Sequence, residues 1–91
     1  MTVTVFHFWS QTCGPCRAIK PALEDLKEEF AGQIEWISID IHNDPKGAGT
    51  ALRITVVPTI VVMRDGVETG RQSGTQVNIF YSLIQKALAM P

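Results

Sequence analysis

Apolar residues dominate from Val3 to Trp9 (V-T-V-F-H-F-W), a β-branched and aromatic run whose one ionisable group is His7. Such a run predicts a central strand covered on both faces. From Gly14 to Phe30 the apolar positions Ile19, Leu23, Leu26 and Phe30 recur at spacings of three and four, and Ala18 and Ala22 widen the stripe. This is the pattern of an amphipathic helix. Glu24, Asp25, Lys27, Glu28 and Glu29 form its solvated side, Pro21 kinks it, and Gly32 supplies a stop just past its end. In Gln33 to Ile41, Ile37, Ile39 and Ile41 alternate against Ser38 and Asp40, the period of a second strand. Asn43-Asp44-Pro45 then opens a short helix, with Asp44 as N-cap and Pro45 at the first helical position, weakened by Gly47 and Gly49. Thr59 to Met63 is a third strand, Arg64-Asp65-Gly66 a tight turn and Val67 to Gln72 a fourth strand, together a hairpin. After Gly74, the positions Val77, Phe80, Leu83, Ile84, Ala87 and Leu88 return to helical spacing until the chain ends.

The order is therefore βαβαββα. A βαβ unit requires a right-handed crossover and a parallel pair, and the terminal hairpin adds an antiparallel edge. The expected fold is α/β, a four-stranded mixed sheet flanked by helices, forming a single domain over residues 1–91. No linker, repeat or low-complexity stretch interrupts it.

Composition narrows the function classes. Eight Lys plus Arg stand against nine Asp plus Glu, a net charge of −1, with 45% hydrophobic and 19% charged residues. Without a basic run there is no electrostatic footprint for nucleic acid or an anionic membrane. No segment approaches about 20 consecutive apolar residues, and Met1 to Thr4 lacks the basic region and cleavage site of a secretory signal. These features lead us to expect a soluble cytoplasmic protein.

The two cysteines of the chain are Cys13 and Cys16. Two cysteines scattered at random over this length would fall at that spacing about one time in fifty, so the pairing is itself a signal. A bridge over two intervening residues constrains an unfolded chain little, so its value is chemical rather than mechanical. The pair occupies the N-terminal turn of the first helix, at the carboxyl end of a buried strand. Free backbone N–H groups and the positive end of the helix dipole stabilise a thiolate on the first-turn sulfur, which makes Cys13 the attacking nucleophile. Cys16, one turn on, faces inward and serves as the resolving thiol. Gly14 and Pro15 permit the tight turn between them. Arg17 and Lys20 add surface charge that favours the thiolate. A metal centre needs about four ligands, and only Cys13, Cys16, His7 and His42 offer themselves, so none is expected. His42 reads as an exposed loop residue, Trp9 as core beneath the dithiol and Trp36 as strand packing.

The segment Phe8-Trp9-Ser10-Gln11-Thr12-Cys13-Gly14-Pro15-Cys16-Arg17, with Pro21 beyond it, resembles the active-site segment of the thioredoxin family. Val57-Pro58-Thr59 is similar to the family's cis-proline segment, and Gly66 and Gly74 stand where the family keeps glycines. The resemblance spans nearly the whole chain. It implies a dithiol oxidoreductase that reduces disulfides in other proteins and needs no cofactor beyond its own Cys13–Cys16 couple and an external donor of the thioredoxin-reductase type. It also implies a cis Pro58 facing the dithiol and a docking surface made by Val57 together with Thr12, Gly14, Pro15, Ile41, Thr59, Gly74 and Thr75, with Trp9 and Pro21 in support. Recognition through the main chain at Val57 explains a broad substrate range. A glutaredoxin-like use of glutathione and a binding module within a larger assembly are the alternatives.

Three departures from the family pattern carry expectations of their own. His7 stands where the family usually has a buried aspartate, so a group of another charge type is available as proton acceptor for Cys16. Loss of a buried anion removes repulsion against the thiolates, and the couple should be a stronger oxidant than thioredoxin at about −270 mV. Ser38 stands for the lysine that often accompanies that aspartate, and Thr12 for a frequent tryptophan. Compared with the usual family member the chain also lacks the first strand and helix, which would leave the strand at Gln33–Ile41 as an exposed edge. A monomer is expected in preference to a dimer.

Overall fold

The computed structural model describes residues Met1–Pro91. Its elements are β1 (Val3–Trp9), α1 (Gly14–Ala18), α2 (Lys20–Glu29), β2 (Glu35–Asp40), α3 (Ala48–Ala51), β3 (Thr59–Arg64), β4 (Val67–Ser73) and α4 (Val77–Ala89). They build one four-stranded sheet in the order β2-β1-β3-β4. The β1–β2 pair is parallel, and β1–β3 and β3–β4 are antiparallel.

β1 lies in the interior of the sheet, paired on one side with the apolar β3, and its own residues are built for burial. Val5 and Phe8 are fully buried and Val3 is nearly so, while Ile60, Val61 and Val62 of the adjacent β3 are fully enclosed. Side chains alternate across the sheet. Val3, Val5, Ile60 and Val62 therefore face α2 and α4, where they meet Ile19, Leu23, Leu26, Phe30, Phe80 and Ile84 in one core. His7 and Trp9 continue that face toward the end of β1. Phe6 and Phe8 stack on the opposite face, ring centroids 6.2 Å apart.

Two elements differ from the sequence-based expectation. The first long helix is two helices, α1 and α2, interrupted at Ile19. Pro21 lacks the N–H that would continue the ladder to Arg17, so the break falls where proline forbids a bond. The short helix begins at Ala48 rather than at Pro45, and its N-cap position is Gly47 in the left-handed region. Asp44 nevertheless caps it from a distance: its carboxylate accepts from the Ala48 N–H at 3.1 Å and the Gly49 N–H at 2.8 Å.

The chain end is clasped to the hairpin. The Thr2 N–H donates to Asp65 Oδ1 at 2.8 Å, and the Asp65 N–H donates to the Thr2 carbonyl at 2.8 Å. Asp65 and Gly66 both have positive φ in this turn, a conformation Asp and Gly tolerate better than other residues. β2 is the edge strand, as expected, and its Ile37 is 39% exposed. No helix is long and apolar enough to cross a membrane.

Candidate active site

The ends of β1 and β3 and the start of α1 converge on one corner of the sheet. Cys13 is the N-cap residue of α1 with extended backbone, and its sulfur accepts from the Cys16 N–H at 3.1 Å. The preceding turn is held by the Cys13 N–H on the Ser10 carbonyl at 3.2 Å, and by buried Ser10, whose hydroxyl pairs with that of Thr12 at 3.1 Å. Negative charge on the Cys13 sulfur is favoured there, because a backbone donor already points at it from the first helical turn.

Cys13 and Cys16 form a disulfide with Cα atoms 5.2 Å apart. The two sulfurs are not equivalent. Cys13 is half-buried between exposed Thr12 and Gly14, whereas Cys16 is only 6% exposed. An incoming thiol therefore reaches Cys13 and not Cys16.

Across from the dithiol the Val57–Pro58 peptide is cis, and Pro58 is buried. The Val57 carbonyl oxygen lies 3.7 Å from Cys13 Sγ. With the bridge closed that sulfur carries no proton, so this is a contact and not a hydrogen bond. Gly74, at φ 103°, donates its N–H to the Pro58 carbonyl at 2.9 Å, which brings Gly74 and exposed Thr75 beside the loop. Thr59 is 3% exposed; its hydroxyl donates to the Val56 carbonyl at 2.7 Å and meets the Ser73 hydroxyl at 2.8 Å. Its side chain thus braces the loop against β4 and is not available to a docking partner. Gly14 and Pro15 are exposed on the rim, and Ile41, whose N–H donates to the Trp9 carbonyl at 2.9 Å, lies at the same end of the sheet. Val56 joins the rim with 54% of its surface exposed. Sequence reasoning passed over it, although a valine doublet before proline leaves one of the two pointing outward in extended backbone.

His7 sits behind the dithiol. Its register partners are Ser38 on β2 and Ile60 on β3, and its ring is 5.9 Å from that of Trp36. Burial, and secondarily the positive charge of Lys27, pushes its pKa down to about 4. The imidazole is therefore neutral at pH 7, and its buried Nε2 has no hydrogen-bond partner. Trp9 is half-buried rather than core, Trp36 packs from β2 against the core as expected, and both line the space around His7 and Cys16. The Trp36 indole N–H donates to the Ser38 hydroxyl at 3.0 Å. His42 is exposed and Pro21 lies on the surface.

A buried sulfur bridged to an accessible one, at a helix start and facing a cis-proline loop, can pass its bridge to an external dithiol and, once reduced, attack an external disulfide. The same arrangement occurs in known proteins. The family model for thioredoxin matches residues 1–86. Thioredoxin M3, chloroplastic, of Oryza sativa is 30% identical over 86 residues, covering 93% of this chain but 49% of its own length, so the chain spans about half of that relative. A thioredoxin of Staphylococcus aureus is 31% identical over 74 residues, covering 81% of this chain and 70% of its own. Among solved structures, the thioredoxin of Fasciola hepatica superposes with a TM-score of 0.87 at 31% identity, over 94% of this chain and 81% of that one. The thioredoxin of Trypanosoma brucei brucei, at 22% identity and a TM-score of 0.89, shares the fold. The chain belongs to the thioredoxin family, and its Cys13–Cys16 pair is that of a thiol–disulfide oxidoreductase.

Proposed function

We propose that the chain is a protein-disulfide reductase. The Cys13 thiolate attacks one sulfur of a substrate disulfide, forms the Cys13–substrate mixed disulfide and expels the other substrate sulfur as a thiolate. The Cys16 thiolate then attacks Cys13, closes the bridge and releases the second substrate thiolate. Two electrons pass from the dithiol to the substrate, and two protons from solvent complete its thiols. The observation that carries this reading is the asymmetry of the closed bridge, an accessible Cys13 bonded to a shielded Cys16.

Substrate docks on the rim of Thr12, Gly14, Pro15, Val57, Gly74 and Thr75, with the free main chain at Val57 as the pairing edge. Exposed Val56 adds an apolar contact. A pKa of about 4 makes His7 a weak base at neutral pH. Its contribution is chiefly that a neutral group, not a carboxylate, stands behind Cys16. The chain acts as one domain over residues 1–91, as a monomer in the reducing cytoplasm, and is recharged by a donor of the thioredoxin-reductase type.

The test is reduction of a disulfide-bonded protein such as insulin with dithiothreitol as electron source. Turnover should vanish in Cys13→Ser, and Cys16→Ser should stall as a covalent adduct whose mass is the sum of enzyme and substrate chain. Absence of a reversible two-electron transition of the couple in a dithiothreitol buffer series would overturn the assignment.

A further inference from the structure

A cavity of about 420 Å³ opens between β1, β2 and the outer face of α1 and α2, within the size range of small-molecule sites. None of the rim residues Val56, Val57, Gly74 or Thr75 lines it, so it is distinct from the docking surface. Its apolar lining is Trp9, Leu23 and Trp36. Three cations, Arg17, Lys20 and Lys27, surround it against the single carboxylate of Glu24, and Glu24 is only 3.9 Å from Lys27. Lys27 also lies over the Trp36 ring, 5.9 Å from its centroid. The local field is therefore positive beside an aromatic wall.

His7 stands in the wall with its Nε2 shut off from solvent, so it shapes the cavity and offers no ligand contact through that atom. The Ser38 hydroxyl accepts from the Trp36 indole and keeps its own proton to donate.

We propose that this cavity is a binding site for a small aryl carboxylate, its ring lodged against Trp9, Leu23 and Trp36 and its carboxylate met by Lys27 and the Ser38 hydroxyl. Cys16 forms part of the wall.

The test uses the oxidised chain and 3-phenylpropionate as probe. Fluorescence is excited at the tryptophan edge, since both tryptophans of the chain line the cavity. Saturable quenching in the low millimolar range is expected, weakened about tenfold in Lys27→Gln and with the uncharged 3-phenylpropanol on the unaltered protein. Ser38→Leu, which fills the cavity, should abolish it, with circular dichroism confirming an intact fold. A linear, unsaturating response, equal affinity for the alcohol, or undiminished binding in a folded Ser38→Leu variant would each overturn the proposal. The measurement involves no turnover, so its failure leaves the reductase reading untouched.

Discussion

Acidification should destabilise this protein through one imidazole. His7 titrates near 6.5 when the chain is unfolded and at about 4 when folded. Between those values the unfolded chain binds the proton and the folded one does not, so stability is complete above pH 6.5 and is lost as the pH falls toward 4. A separation of about 2.5 pKa units at 1.36 kcal/mol each, integrated from pH 7 to pH 4, corresponds to about 3 kcal/mol. That is an upper figure, since His7 keeps some contact with solvent. Carboxylates titrate over part of the same window, so the assay is a difference. Urea unfolding of the wild type and of His7→Gln is followed at half-unit steps from pH 7 to pH 4. The wild type should lose about 2 to 3 kcal/mol relative to the variant over that range. Parallel curves for the two proteins, or a proton resonance of the His7 imidazole titrating above pH 6, would refute the reasoning.

Removing the second cause named for His7 gives a further test: Lys27→Met should raise the imidazole pKa above the wild-type value in a proton NMR titration, because the cation no longer opposes protonation. Restoring the family's carboxylate with His7→Asp should lower the reduction potential of the Cys13–Cys16 couple by about 30–60 mV, the equivalent of about 1.4–2.8 kcal/mol of charge repulsion, as read by thiol labelling in a redox buffer series. The wild-type potential itself should lie above about −270 mV. Asp44→Ala should cost about 1 kcal/mol in a urea melt by removing both caps of the short helix. Phe8→Ala should cost about 3–5 kcal/mol, since that ring is wholly buried.

The residue pattern located all four strands within two residues, because β1 and β3 are dense in β-branched and aromatic residues, β2 alternates isoleucine with polar residues, and the Asp65-Gly66 turn marks the start of β4. It missed the split at Ile19, since a kink and a break share the same apolar stripe and differ only in backbone bonds that the stripe does not encode. It also placed the short helix too early. Asp44 and Pro45 have the right chemistry for a helix start, but the carboxylate reaches over a turn to Ala48 and Gly49. Cys13 and Cys16 were legible from spacing and position, and the resemblance carried Pro58. The burial of Thr59 was not legible, because its hydroxyl partners Val56 and Ser73 come from separate segments that only the hairpin brings together. The cavity was equally hidden. Its lining is drawn from β1, α1, α2 and β2, and no local pattern joins His7 to Lys27 and Ser38.

The sheet order has a consequence for how the chain comes to be assembled. The earliest of the four strands in the chain is an interior one, and its second partner is β3, with Val3 meeting Arg64 and Phe8 meeting Thr59. During translation β1 can close against α2 and β2 at once, but one of its hydrogen-bonding edges stays open until β3 has left the ribosome. Such distant pairing slows folding relative to a helical chain of the same length. Throughout that interval Val5 and Phe8, fully enclosed in the finished molecule, flank an unpaired edge. A nascent chain stalled just short of Thr59 should therefore be the species most readily captured by a chaperone.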